Sequence, residues 1–541
     1  MRAVKWLRSL DPNEDPSAEP VSLLALLAFA VLVAISAGMF LWWPFQPMQD
    51  AGFHASMSAQ VAHYSKGTFY AEMYKPYEIF TTNSLLCVTA GWLGKILPPF
   101  FAFRLTFALG YFVGMPLANL YALRVFGRSA WGAVVAVPLC YNQIVVYGFM
   151  SWLFVTPLAV LVVALFYRML EKPTWKRIAV VAVILTMIFM GHFLVFLWTG
   201  VLLFTMTLGG VLVTTKQALF GFPTTRPWKV AWVSFVAALP SLLLMARWAW
   251  RTKQPPPPDE YTIFQVSGDT GFKAFAAAVK SPNRAISEFW GILDLTKNDM
   301  DARFFIMLFI CATIAIAISR MHKWKRPPIL EIAAAMTLSS YFLVPQDFGG
   351  HEVLAPRQFA FGLYFASAYF APVPASVSRL GRVVSIVIVT TLGSFMLSGW
   401  FRSLVKFENE EVAGLAEMID AMPPGKRLHY VKMEPDSKYF LAHTFWHVDE
   451  FYMLQKQGQT DENPAYGAMQ PIRYRKSYTP HLVDAHHADW ATVQEIWDNF
   501  DLVLVHKWKP TPKQLEIANL HGQRIAQKGD WEVWSSKDVK R

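Results

Sequence analysis

The chain has 541 residues, of which 54% are hydrophobic and 16% charged, and its mean hydropathy is +0.30. That balance excludes an ordinary soluble protein and fits a polytopic membrane protein. The formal net charge is +11, but Lys and Arg gather in short loops between apolar runs. Topology and anionic lipid account for that excess, so a nucleic-acid partner is not expected.

A span needs roughly 20 apolar residues. Runs of that kind predict spans near 21–43, 101–123, 130–147, 150–167, 178–194, 195–214, 230–248, 303–320, 328–345, 356–373 and 381–401. The first run is too long for the apolar core of a cleavable signal, so it is expected to stay as a span. Between 178 and 214 the chain must turn, near Gly191 to Gly200. The run 84-SLLCVTAGWLGKIL-97 is short and ends in Lys95. If it does not cross, one face collects Arg2, Lys5, Arg8, Arg124, Arg128, Arg168, Lys172, Lys176, Arg177, Lys216, Arg226, Lys229, Arg320, Lys323, Lys325, Arg326, Arg379 and Arg382. The opposite loops around 148–150 and 346–355 then hold neither Lys nor Arg. The positive-inside rule therefore predicts a cytoplasmic N-terminus, an outer C-terminus and an interfacial helix at 84–97. Cys87, Cys140 and Cys311 lie in apolar surroundings and form no metal or redox pair.

Three segments are expected outside the membrane: 44–100, 249–302 and the tail 402–541. The tail changes composition and reads as a small α/β domain. Its strands are predicted at 427–433, 500–507 and 531–536, with helical patterns at 408–421, 440–456 and 511–527. The chain thus reads as a transmembrane domain over 1–401 and an extracytoplasmic domain over 402–541.

The first outer segment opens 46-QPMQDAGFHASMSAQ-60, directly after the aromatic cluster Trp42-Trp43-Pro44-Phe45. Asp50 and His54 are four apart and share one helix face. One span followed by a large outer loop with an early Asp, an interfacial helix, a second span opening 100-FFAFRLTFALG-110 and a C-terminal outer domain resembles the GT-C superfamily of integral membrane glycosyltransferases. The carrying residues are 49-QDAGFH-54, the context of Arg104 and 347-DFGGHEVLAPRQFAFGLYF-365. The chain departs from the family where an acidic pair is common, having one early Asp with Glu72 and Glu78 downstream. It reads Lys75-Pro76-Tyr77-Glu78 where the family often has His-Pro-Pro.

The resemblance implies a polyprenyl-phosphate-sugar donor, and Asp50 as the general base that removes the acceptor's proton. The alternative for Asp50 is a helix N-cap. His54 would orient Asp50, meet a phosphate or stay structural; His63 is a weaker candidate. Arg357 stands at the outer edge, where a guanidinium can grip a phosphate with paired donors; snorkelling is the alternative. Arg104, Lys75, His351 and Glu72 are further substrate-binding candidates, with a solvated face or snorkelling as their alternatives. His351 and Glu352 lie beside Arg357 in sequence. Arg247 and Arg251 flank the second outer loop, and His192 stands at a span end. Metal use stays open: a divalent cation is compatible with the loop, but one His and one carboxylate are too few ligands to predict it. No nucleotide-binding or serine-hydrolase motif occurs.

The expected activity is inverting sugar transfer to an envelope glycan, lipid or protein acceptor on the outer face of a bacterial inner membrane. Two other readings stand beside it. One is a GT-C-type ligase or polymerase that works through His351 and Arg357. The other is a non-catalytic scaffold or transporter for envelope glycans.

Overall fold

The computed structural model describes residues 23–65, 68–128, 131–212, 227–254, 260–261, 329–345, 354–370, 379–461, 465, 470–477, 483 and 487–537. The expected span 303–320, most of the second outer loop, His351 and Glu352 lie outside these residues.

Helix α1 (Leu23–Trp42) is followed by α2 (Ala51–His63), α3 (Phe69–Met73) and α4 (Ser84–Leu93) in the first outer segment. With ten residues α4 reaches about 15 Å, half of a bilayer's hydrocarbon thickness. It packs so closely on α2 that a Cβ at Gly91 would meet Val61 at 2.4 Å. Helix α5 (Pro99–Val125) carries a π-helical turn over Ala108–Val113.

The expected span 130–147 is broken into α6 (Trp131–Leu139) and α7 (Gln143–Tyr147). Pro138 lies inside α6, and the Asn142 side chain accepts the Ile144 N–H to start α7 afresh. Gly148 ends α7 at φ +75, and α8 (Met150–Glu171) begins two residues later. Helices α9 (Trp175–Gly191) and α10 (Phe193–Leu212) turn at His192, inside the expected window. Small residues allow the close approach that membrane helices rely on: a Cβ at Gly191 would meet Val155 of α8 at 1.9 Å, and one at Gly110 of α5 would meet Phe154 at 2.1 Å. Helix α11 (Pro227–Thr252), strand β1 (Glu260–Tyr261), α12 (Ile329–Ser340), α13 (Leu354–Ala366) and α14 (Arg379–Glu410) follow. Among the described residues α5, α8, α10 and α11 are long and apolar enough to cross a membrane, with shorter apolar helices beside them.

Helix α14 runs straight through the 401/402 boundary into the tail. There the elements are α15 (Leu415–Ala421), β2 (Arg427–Val431), α16 (Glu450–Lys456), β3 (Gln459–Thr460), β4 (Tyr474–Arg475), α17 (Gln494–Asn499), β5 (Leu502–His506), α18 (Pro512–His521), β6 (Gly522–Lys528) and β7 (Trp531–Ser536). The sheet order is β3-β2-β5-β7-β6, with β2 parallel to β3 and β5 and the β5–β7–β6 portion antiparallel. The three expected strands are present. Two helical expectations are corrected: only 450–456 of 440–456 is helical, and 522–528 is an edge strand. Gly522 ends α18, and the turn at Gly529, φ +60, folds β6 back onto β7.

The tail is laced to both outer loops. Strand β4 pairs antiparallel with β1, and Tyr474 also bridges to Tyr74. Lys75 N–H donates to Arg473 O at 2.9 Å, and Glu78 N–H to Pro471 O at 2.8 Å. Arg475 Nε donates to the Ala71 and Tyr74 carbonyls.

Candidate active site

Five segments meet at the end of the bundle that carries the tail. The break between α6 and α7 lets residues 146–148 fold against the start of α2: Gln49 N–H donates to Val146 O at 2.9 Å and Asp50 N–H to Tyr147 O at 3.2 Å. A Cβ on Gly148 would stand 2.5 Å from the Asp50 nitrogen, so the turn needs glycine for both conformation and space. Asp50 occupies the N-cap position of α2, yet its carboxylate makes no capping hydrogen bond. Capping therefore does not account for its side chain, which is half-buried and directed at the tail. His447 Nε2 lies 4.0 Å from Asp50 Oδ1, an ion-pair distance and too long for a hydrogen bond. The other ring nitrogen, Nδ1, lies 2.9 Å from Oε1 of Glu450, which is fully buried at the start of α16.

His54, one turn into α2, is buried with its Nδ1 3.3 Å from Ser151 Oγ on α8. Burial first, then the neighbouring His447 and Arg357, push its imidazole down to about 3. It is a neutral ring at physiological pH, suited to hydrogen bonding and not to charge pairing.

Arg357, in the first turn of α13, is buried. Its guanidinium lies over the Phe149 ring, 3.7 Å from the centroid, a cation–π contact that holds the plane without using its N–H groups. Its Nη1 is 3.4 Å from His192 Nε2. His192 Nδ1 lies 3.2 Å from the Leu194 nitrogen; a neutral imidazole accepts at one nitrogen only, so the Arg357 and Leu194 N–H groups compete for the ring. Arg357 and His192 thus stand side by side, and a guanidinium is a group that grips an anionic oxygen with paired donors. The His192 turn is itself anchored to the first outer segment: Phe193 N–H donates to Thr82 Oγ1 at 3.0 Å, and Ser84 Oγ to Met190 O at 3.3 Å.

The structure therefore brings Asp50, His54, Arg357 and His192 together. Other sequence candidates have structural engagements. Arg104 reaches back to α1 and donates to the carbonyls of Phe40, Leu41 and Trp43, closing that helix's C-terminus. Lys75 belongs to the strand-like segment that pairs with the tail, and Glu72 is exposed on α3. His63 contacts Leu454 O at 3.1 Å. Arg251 pairs with Glu78, joining α11 to the first outer segment. No group of three or more His, Cys, Asp or Glu side chains fit to hold a metal occurs among the described residues.

Sequence reading missed His447 and Glu450. The available signal was 443-HTFWHVDE-450, where two histidines and two acids crowd into eight residues of a tail otherwise read only as a small α/β domain.

The fold is shared with solved structures of ArnT from Cupriavidus metallidurans. The structure bound to undecaprenyl phosphate matches with TM-score 0.56 and 14% identity, covering 96% of this chain and 99% of that one. The apo structure matches with TM-score 0.53 and 13% identity, covering 96% and 100%. The chain thus shares the ArnT fold from end to end, at an identity that speaks for fold alone. No family model and no curated protein matches it.

Proposed function

We propose that the protein is a GT-C-type glycosyltransferase that moves a sugar from a polyprenyl-phosphate donor to a lipid, glycan or protein acceptor at the outer face of a bacterial inner membrane. The observation that carries this reading is the convergence of one carboxylate, Asp50 at the start of α2, with the buried guanidinium of Arg357, which acts on His54 one turn along and pairs with His192. A phosphate oxygen accepts from the guanidinium, and the prenyl chain runs down the apolar bundle. ArnT, the structural neighbour, has been captured with undecaprenyl phosphate, which supports a lipid of that chemistry here.

In the proposed step the acceptor oxygen forms a bond to the anomeric carbon as the bond from that carbon to the phosphate oxygen breaks. The electron pair leaves with the phosphate, whose charge Arg357 meets. The hydroxyl proton passes to Asp50. Attack opposite the leaving group inverts the anomeric centre. Neutral His54 adds a hydrogen-bonding wall, and Phe149 keeps Arg357 flat.

The test is sugar transfer by purified wild type and Asp50→Asn from a panel of radiolabelled polyprenyl-phosphate sugars into native membrane extract. Transfer by wild type and loss by at least a hundredfold in Asp50→Asn, with carrier binding kept, supports the reading. Full activity in Asp50→Asn overturns it, and moves the chemistry to a ligase-like mechanism through Arg357.

A further inference from the structure

The tail domain reaches into the site at one point. Residues 447–450 sit against the first turn of α2, and the fit is close enough that a Cβ on Gly52 would lie 1.6 Å from the His447 carbonyl oxygen. This contact fixes the backbone from which the His447 ring extends. Phe53 packs against that ring at 5.8 Å between centroids. The ring's two nitrogens face two carboxylates contributed by different domains: Asp50 from α2 and Glu450 from α16.

Resting on the reading of Asp50 as the base, we propose that His447, held by Glu450, is a positioning residue for Asp50, so that the C-terminal domain completes the catalytic site. An imidazolium between two carboxylates serves both of them, and the cation beside Asp50 keeps that carboxylate ionised and aimed. Glu450 stands behind the ring at ion-pair distance, where an acid stands behind the histidine of a hydrolase triad. The order is reversed here, because the residue at the reacting end is the carboxylate. The titratable and charged groups around the ring are Asp50 and His54 on α2, Glu450 on α16 and, acting on His54 from α13, Arg357. Asp50 takes the acceptor proton; His447 exchanges none with substrate.

Two measurements test this on the full-length protein in detergent. The first follows the His447 imidazole by NMR with 13C-labelled histidine, using His447→Gln to identify its signal. Asp50→Asn and the isosteric Glu450→Gln should each lower the His447 titration midpoint by about one pH unit. A midpoint that Asp50→Asn leaves in place overturns the proposal. The second is the pH profile of transfer. His447→Gln should move the acid limb towards neutrality and lower kcat, with KM for the donor unchanged, and His447→Lys should restore part of the limb. An acid limb unmoved by His447→Gln overturns the proposal even if the rate falls. The titration decides alone where no panel sugar is transferred. Transfer that survives Asp50→Asn defeats the base reading while leaving the measured Asp50–His447 coupling intact, so the two failures are distinct.

Discussion

The carbonyl of His447 lies against Gly52 with no room for a methyl group between them: a Cβ there would stand 1.6 Å from the oxygen. Gly52→Ala must therefore push the tail off α2. Overpacking of this kind costs about 1–3 kcal/mol. We expect a lower Tm, faster protease cleavage around 441–449, and loss of transfer out of proportion to the loss of folded protein. Wild-type transfer in Gly52→Ala would show that the tail need not touch α2.

Arg357→Lys keeps the charge but removes the planar fork and its stacking on Phe149. The expected outcome is at least a tenfold weaker affinity for a polyprenyl phosphate, read by native mass spectrometry or fluorescence quenching. His192→Phe should weaken the same affinity without altering the charge of the site. Arg104→Met, by contrast, should lower thermal stability and leave that affinity unchanged, because Arg104 serves the end of α1.

The tail should lose stability in acid through His506. Its ring is fully buried, stacked on Trp531 at 4.0 Å and against Phe445 at 4.6 Å. Burial, then Lys507 and Lys438, push it down to about 3. An unfolded histidine takes up its proton near 6.5. The unfolded state thus binds more protons between those values, so this contribution is intact above about pH 6.5 and is lost progressively as pH falls towards 3. His506→Phe should flatten the dependence of Tm on pH over that window. A slope equal to wild type would exclude His506 as its source.

Where α5 ends, Arg128 Nε meets Glu331 Oε1 at 2.6 Å with both side chains buried. Removing one partner strands the other, at a cost of about 3–5 kcal/mol. Arg128→Met or Glu331→Leu alone should reduce the yield of folded protein sharply. The double variant should recover much of it, as a thermal-shift series in detergent would show.

Much of this was legible before any coordinates. Long apolar runs announce spans because the bilayer leaves few alternatives, and the charge clusters order them. Asp50 and Arg357 stood out as ionisable groups at the outer edge of apolar sequence. The partnership of His192 with Arg357 was not legible, since it depends on the α6–α7 break and on how α13 lies beside the α9–α10 turn. His447 was less accessible still. Histidines scattered through a soluble domain carry no periodicity, and only the docking of that domain onto Gly52 gives one of them a role. Strand β6 was misread as helix because GQRIAQK has neither alternation nor β-branched enrichment at an edge that is mostly solvated.

The lacing of β4 to both outer loops also bears on biosynthesis. Asp50 leaves the ribosome well before the segments that seal it in place. During insertion the first outer segment waits with its acid exposed and its partner histidine not yet made. A chain halted before residue 441 would lack both the strand that pairs with β1 and the histidine that faces Asp50, so this end of the bundle closes only after the helices before it have been made.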